Sequence, residues 1–396
     1  MSATTQSSEH PTPDDSIYLD HNATTPVRPE VADVVRESSL RYAANPASQH
    51  SAGRLARRAL EDARQKVGEL LGARMSGMDA DRVIFTSGGT EAANLAVFGL
   101  TAVARRTGKR NHFVTTGIEH PCVLEAADQL REAEVEHLSA NVDGIVEAAS
   151  VRRALRPETA AVSVMLANNE TGVVQPIAAM ASLCADQGIA MHCDAAQAIG
   201  KLPVSFADLG LSAMSLAAHK FYGPLGIGAL VLRHGVALEP ALFGGHQQAG
   251  LRPGTETVAL AVGLCQALAL SLDELAGESI RLAKLRDQLE QALTNAMPNT
   301  IVIGANAVRL PNTSNIAFVG LNRQALLMAL DQAGIACSSG SACASGSSEP
   351  SPALLAMGLK KELLESSIRF SLGRSTTTAE VDEACRRILS VCQRLR

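Results

Sequence analysis

The sequence predicts an α/β protein with a mainly parallel sheet, followed by a smaller α+β domain. Short apolar runs alternate with segments of helical periodicity up to about Leu268, and the lengths between the runs suit helical crossovers. Beyond Leu268 the pattern changes to a long helix, two strands, a further helix and a loop of small residues. A chain of 396 residues is long enough to form both units.

The predicted elements follow in order along the chain. Leu55, Ala59, Ala63, Val67 and Leu70 recur at helical spacing and predict an amphipathic helix. The strands expected in the first unit are residues 83–85, 112–116, 160–167, 189–193, 214–216 and 228–232. In the second unit we expect a helix over 268–293, strands over 300–303 and 314–319, a helix over 323–333 and a small-residue loop over 338–348.

Composition excludes several classes of function. A net charge of -5 offers no basic surface to nucleic acid or to an anionic membrane, and a chain without Trp has few stacking platforms for bases. No apolar run approaches the length of a membrane span, and the polar residues 1–16 predict a disordered tail rather than a signal peptide. The eight Cys, without a CxxC pair, predict reduced thiols in a cytoplasmic protein, packed as small apolar residues except for Cys343.

Two residues at predicted strand ends indicate pyridoxal-phosphate (PLP) chemistry. Lys220 lies between an apolar strand and a Gly/Pro turn, where its amine can form a Schiff base with an aldehyde, although most lysines are solvated surface charges. Asp194 follows the strand 189–193 and can keep the PLP ring nitrogen protonated, or it can cap the next helix. About one strand–helix–strand unit separates the two residues, so both are expected at one sheet edge.

Three further polar segments follow predicted strands. Ser87–Thr90 carries two glycines before a helix, an arrangement that suits phosphate. His120, in Glu119–Pro121, can stack on a cofactor ring and move protons, or it can be a structural histidine. Asn168–Gly172 can contact cofactor or substrate, or form a turn.

Two residues of the second unit suggest how a substrate is handled. Cys343 lies on the small-residue loop, and an exposed thiol that can travel suits sulfur transfer, whereas a plain flexible linker is the alternative. Arg369 lies between apolar neighbours and is a candidate clamp for an amino-acid carboxylate, or one half of an ion pair between the domains.

Together these motifs resemble the NifS/IscS-type cysteine desulfurases, which are class V aminotransferase-like, fold-type I PLP enzymes. The resemblance runs from Tyr18–Pro26 to Arg369–Gly373 and includes the segments 45–50 and 244–255. The long Cys loop, followed by Glu349–Ser351, is similar to the NifS/IscS branch rather than to the branch that includes selenocysteine lyases. The resemblance implies a tail over 1–16, an N-terminal segment over 17–30 that joins the small domain, a large PLP-binding domain with a mainly parallel seven-stranded sheet over 31–267, and a small C-terminal domain over 268–396.

The resemblance also implies a role for each matching residue. The catalytic residues would be Lys220, which holds PLP covalently, Asp194 at the pyridine nitrogen, His120 stacked on the ring, and Cys343 as the sulfur carrier. The other cofactor contacts would be Gln197 at the ring hydroxyl oxygen, Gly89, Thr90 and His219 at the phosphate, and Thr255 from the neighbouring subunit of a homodimer. Ala217 occupies the position of a phosphate-binding serine in the family. Asn169, beside the cofactor, and Arg369 would grip the substrate carboxylate.

The implied reaction removes sulfur from L-cysteine, gives L-alanine and leaves a persulfide on Cys343 for an acceptor protein. By resemblance the acceptor is an iron–sulfur cluster scaffold, with carriers for transfer-RNA thiolation as the alternative. No permanent metal is implied, only a transient iron–sulfur contact through the Cys343 persulfide. A selenocysteine lyase or another class V aminotransferase would share Lys220 and Asp194 but would not depend on Cys343. A non-catalytic assembly subunit is a rival of a different class.

Overall fold

The computed structural model describes residues 16–108, 110–131, 133–340 and 350–395, so Cys343, the tail before residue 16 and most of the predicted loop 338–348 lie outside it. The strands are β1 (Ile17–Tyr18), β2 (Arg82–Thr86), β3 (His112–Thr116), β4 (Glu134–Leu138), β5 (Thr159–Ser163), β6 (Ala190–Asp194), β7 (Ala213–Ala217), β8 (Gly228–Leu232), β9 (Thr300–Ile303), β10 (Thr313–Phe318), β11 (Ile335–Ala336) and β12 (Ser367–Ser371). The helices are α1 (Pro29–Arg41), α2 (Ser51–Leu70), α3 (Gly89–Gly108), α4 (Pro121–Asp128), α5 (Ala148–Ala154), α6 (Ile177–Ala185), α7 (Phe206–Leu209), α8 (Val258–Asp273), α9 (Leu275–Ala296), α10 (Arg323–Gln332), α11 (Pro352–Ala356), α12 (Lys361–Leu364) and α13 (Thr378–Leu395). Ala218–Lys220 and Gln247–Gly250 form 3-10 turns.

The large sheet has seven strands in the order β2-β8-β7-β6-β5-β3-β4. Every pairing from β7 to β4 is parallel, and β8 is antiparallel to both β2 and β7. The predicted α/β fold with a mainly parallel sheet is therefore confirmed. Because the carboxyl ends of parallel strands meet at one edge, the residues that follow β3, β5, β6 and β7 are brought together there.

Both faces of this sheet are covered. Val83 and Val114 belong to one apolar core, whereas their neighbours Ile84 and Phe113 belong to the core on the opposite face. Successive side chains of a strand point to opposite faces, so a strand buried on both faces needs continuous apolar sequence rather than alternation. Continuous apolar runs of this kind are visible in the sequence and predict strands there. The strand β4 was missed because its sequence, Glu-Val-Glu-His-Leu, is half polar and lies at the sheet edge.

A second core surrounds the antiparallel three-stranded sheet β12-β10-β9. Ile17 and Leu19 pack in this core together with α9 and α13, and β1 pairs in parallel with β11. The N-terminal segment thus lies against residues of the C-terminal part of the chain. The division of the chain into domains at residue 268 stays a prediction.

The helix predicted over 268–293 is wrong at its start. The structure has two helices there, α8 and α9, which meet at Glu274 with a bend of 70°. Helix α8 is apolar over most of its surface and packs against α1 and α2. Helix α9 buries one stripe of side chains against the second core: Leu282, Leu285, Leu289 and Leu293. Because a helix buried on one side has apolar residues at helical spacing, α9 shows helical periodicity in the sequence, whereas α8 does not.

For the described helices, the requirements of a membrane span are sufficient length and an apolar composition. No single one of them meets both requirements, and α8 and α9 meet them only when they are counted together across their bend.

Candidate active site

A cavity of about 640 Å³ opens at the carboxyl edge of the large sheet. It is lined by nearly all the residues that the sequence singled out: Gly89, Thr90, His120, Asn169, Asp194, Gln197, Ala217, His219, Lys220 and Arg369. Its volume suits a cofactor together with a small substrate. Thr255 is an exposed residue before α8 and does not line this cavity. Cys343 lies outside the described residues.

Lys220 is held inside the cavity rather than in solvent. Strand β7 ends at Ala217, the 3-10 turn Ala218–Lys220 follows, and the buried ring of Phe221 anchors the turn in the core. The Nζ atom of Lys220 donates hydrogen bonds to the carbonyl oxygens of Asn22 at 2.6 Å and Ala23 at 2.8 Å. The N-terminal segment therefore positions the amine.

Asp194 is the last residue of β6, and neighbouring groups hold its carboxylate by hydrogen bonds. Its Oδ1 accepts hydrogen bonds from the backbone nitrogen of Ala196 at 2.9 Å and from Ser215 Oγ at 3.4 Å. Ser215 Oγ also lies 3.1 Å from His192 Nε2, and His192 Nδ1 lies 2.8 Å from Ser163 Oγ. Burial lowers the pKa of His192 to about 4, so a neutral ring links these hydroxyl groups to the carboxylate.

His120 has the structural role that was one alternative from the sequence, and it also lines the cavity. Its Nδ1 accepts a hydrogen bond from the backbone nitrogen of Cys122 at 3.1 Å and caps the N-terminus of α4. Burial lowers the pKa of the ring, and Asp194 opposes the shift. The cap fixes the orientation of a neutral imidazole at the cavity wall.

The other end of the cavity offers donors for a phosphate. Gly89 and Thr90 begin the long helix α3, whose first backbone N–H groups have no partner within the helix. A Cβ atom at Gly89 would lie 3.1 Å from Ala217 Cβ, so glycine permits the close approach of the α3 start to β7. His219 Nδ1 lies 3.1 Å from Thr24 Oγ1, and burial, reinforced by Lys220 and Lys201, lowers the pKa of its ring to about 4.

Arg369 both forms an ion pair and lines the cavity. Its guanidinium is almost fully buried and donates from Nη2 to Asp20 Oδ1 at 2.6 Å and from Nη1 to the Asn169 carbonyl at 3.1 Å. The ion pair that was the alternative interpretation is therefore present. It holds the guanidinium in one orientation beside Asn169, where a substrate carboxylate could be bound.

Two buried titratable residues in or next to the site were missed in the sequence. Glu119 is almost completely buried, and its Oε1 accepts hydrogen bonds from Thr116 Oγ1 at 2.6 Å and the Met165 nitrogen at 2.9 Å. Burial, reinforced by the nearby Asp194, raises the pKa of Glu119 to about 8. Lys201, seven positions after Asp194 in the sequence, is also buried. In the sequence, each of these residues is marked only by its position beside a segment already predicted to belong to the site.

The sequence profile of the Aminotransferase class-V family matches residues 17–384. The chain belongs to this family. Within the family, the IscS-like cysteine desulfurase of Mycobacterium tuberculosis is 44% identical over 93% of this chain and 94% of its own length. A cysteine desulfurase of Trichormus azollae is 41% identical over 96% of this chain and 94% of its own.

A solved structure supports the same family assignment as these relatives. A NifS-like protein matches this class V chain with a TM-score of 0.88 and 31% identity, over 96% of this chain and 100% of that one. The predicted resemblance to NifS/IscS-type cysteine desulfurases is therefore confirmed, and the chain is a member of that PLP-dependent group.

The residues present in this class V chain fit PLP. An amine, a carboxylate and an imidazole line one cavity, and a helix N-terminus faces it at Gly89 and Thr90. Gly89 and Ala217 also form a cradle that a Cβ atom on Gly89 would crowd. Each group matches one part of the cofactor: the aldehyde, the ring nitrogen, the ring face and the phosphate.

The buried carboxyl of Glu119 predicts a pH-dependent stability. Its pKa is raised in the folded state, so the folded state binds more protons than the unfolded chain between about pH 4.5 and 8, and stability falls as pH rises through that window. Glu119→Gln removes the titration at nearly constant shape. We expect the variant to gain roughly 1–4 kcal/mol relative to the wild type between pH 5 and pH 8.

Urea unfolding at both pH values measures this difference in the unfolding free energy. Glu37→Gln, on the exposed side of α1, is the matched control and should show no such gain. Parallel pH curves for Glu119→Gln and the wild type would show that Glu119 is not protonated in the folded protein.

Proposed function

We propose that the protein converts L-cysteine into L-alanine with PLP and holds the released sulfur as a persulfide on Cys343. The observation that carries this proposal is the convergence of Lys220, Asp194 and Arg369 on one cavity at the carboxyl edge of the sheet. The names of the two relatives described above support the same reaction.

The chain would hold PLP at both ends of the cavity. Lys220 would bind its aldehyde carbon, Asp194 its ring nitrogen, Gln197 its ring oxygen and His120 its ring face. At the phosphate, the contacts would come from Gly89, Thr90 and His219, and from Thr255 of a second subunit in a homodimer. When bound, PLP supplies an electron sink that acidifies the Cα proton of an amino acid.

The substrate would bind beside Asn169 and Arg369. The guanidinium is a planar donor that suits a carboxylate, and Asp20 fixes its orientation. Lys220 Nζ would then take the Cα proton as a general base and give it back as an acid, since an amine so positioned can do both. The carbonyl oxygens of Asn22 and Ala23 provide a resting place for this amine.

Sulfur transfer would use the thiolate of Cys343. The thiolate attacks the substrate sulfur, the S–S bond forms as the carbon–sulfur bond breaks, and Cβ keeps the electron pair and takes a proton. L-alanine leaves and the persulfide remains. We propose an iron–sulfur cluster scaffold protein as the acceptor, and the cytoplasm as the location of the reaction.

Incubation with PLP and L-cysteine under reducing conditions tests the proposal. We expect L-alanine and sulfide in equal amounts, without pyruvate. Pyruvate from cysteine would support a different PLP reaction, and turnover restricted to selenocysteine would support a lyase. A chain that fails to bind added PLP would support a non-catalytic assembly subunit.

Ala217 gives a prediction about cofactor retention. Ser215 does not replace the missing family serine, because its hydroxyl contacts Asp194 and His192 beneath the site. Ala217→Ser should add one hydrogen bond to the phosphate and slow PLP loss during turnover by about threefold to tenfold. Without cysteine the rate should change little, since Lys220 then holds the cofactor covalently.

The dissociation rates of PLP from the wild type and Ala217→Ser, measured with and without cysteine, check this prediction. Equal rates during turnover would show that a water or another group already fills the gap at position 217.

A further inference from the structure

Lys201 is a buried lysine that lies behind Gln197, on the side away from the cofactor cavity. Only 8% of its surface is exposed, and its Nζ donates to Gln197 Oε1 at 2.7 Å and to Asn22 Oδ1 at 3.2 Å. Both acceptors are neutral amide oxygens. Within the part of the chain that the structure describes, no carboxylate forms an ion pair with Lys201. A structural ion pair therefore does not account for this lysine.

The amide acceptors connect Lys201 to the cofactor lysine. Gln197 Nε2 donates to the Asn22 carbonyl at 2.9 Å, and Lys220 Nζ donates to the same oxygen at 2.6 Å. The Asn22 side chain is held further by Asn312 Nδ2, which donates to Asn22 Oδ1 at 3.1 Å. Lys201, Gln197, Asn22 and Lys220 thus form one buried network at the cavity wall.

Two neighbours decide which way the Gln197 amide points. The Asn22 carbonyl can only accept a hydrogen bond, so it faces the amide nitrogen of Gln197, and the amide oxygen faces the Lys201 amine, which donates to it. Burial, reinforced by Lys220 and Arg369, lowers the pKa of Lys201 well below its usual value, and the orientation holds in either state. One Nε2 hydrogen goes to Asn22, and Gln197 lines the cavity, which leaves the second hydrogen for a ligand there.

We propose that Lys201 is a positioning residue that fixes the Gln197 amide with its NH2 group toward the cavity, ready for the anionic ring oxygen of PLP. This inference rests on the PLP site proposed above. Without Lys201, the Gln197 oxygen loses its donor, and only the bond to the Asn22 carbonyl still holds the amide, so its NH2 group is held less firmly toward the ring oxygen.

Lys201→Met removes the donor and keeps a side chain of similar length. We expect PLP to bind the apoprotein about tenfold more weakly, the loss of one hydrogen bond to a charged oxygen. The pH midpoint of the visible absorbance of bound PLP should also shift, which a purely structural role for Lys201 would not cause. Lys284→Met, at an exposed lysine of α9, is the matched control and should behave as the wild type.

A double-mutant cycle with Gln197→Leu tests the route of the effect. If Lys201 acts through Gln197, adding Lys201→Met to Gln197→Leu should change PLP affinity by less than about twofold. Additive losses would overturn the inference, as would a Lys201→Met variant with the affinity and the pH midpoint of the wild type. Should circular dichroism show that Lys201→Met is unfolded, Lys201→Leu, which also lacks a donor, takes its place with the same expected loss. A wild-type chain that does not bind PLP would instead overturn the proposed function.

Discussion

Lys220→Ala is expected to remove the visible absorbance of lysine-bound PLP and to lower alanine formation from cysteine by roughly 10³-fold or more. Lys220 Nζ is the amine that the 3-10 turn after β7 and the Asn22 and Ala23 carbonyls hold in the cavity. Its loss removes both the covalent attachment of PLP and the base for the Cα proton. Spectra of the purified variant with added PLP, and an alanine assay, measure the two effects.

Borohydride reduction followed by peptide mass spectrometry gives an independent reading. In the wild type, the reduced cofactor should be found on the peptide that contains Lys220. Lys284→Ala is the control and should keep both absorbance and activity. Reduced PLP on Lys201 in the borohydride-treated wild type would contradict the assignment and give the buried neighbour the covalent role.

The positions of the central site residues could be predicted because they depend on local pattern. Asp194 and Lys220 each follow a continuous apolar run, and the runs proved to be β6 and β7, adjacent parallel strands. Residues that follow such strands share an edge whatever lies between them. The glycines at Ser87–Thr90 marked the start of α3 for the same local reason.

The rest of the site depends on contacts between distant parts of the chain. Asn22 meets Gln197, Lys201 and Asn312 only after the N-terminal segment has packed between the two cores. Burial of Lys201 is a consequence of that packing, and a lone lysine in a sequence is usually exposed. The pairing of Asp20 with Arg369 joins residues at opposite ends of the chain in the same way.

Cys343→Ser is expected to separate cofactor chemistry from sulfur release. The variant should bind PLP as the wild type does and still change its absorbance when cysteine is added, because Lys220, Asp194 and Arg369 are intact. Release of alanine and sulfide should fall by roughly 10³-fold, since a serine hydroxyl is hardly ionised near neutral pH and does not attack sulfur as a thiolate does.

A neighbouring thiol provides the matched control. Cys337 lies six positions earlier in the sequence, and burial raises the pKa of its thiol well above the usual range, which makes it a poor nucleophile. Cys337→Ser should therefore retain activity, and mass spectrometry after brief treatment with cysteine should find the persulfide on the peptide that contains Cys343. If Cys343→Ser released alanine and sulfide at the wild-type rate, sulfur would leave the substrate without a protein carrier, and the relay through Cys343 would be wrong.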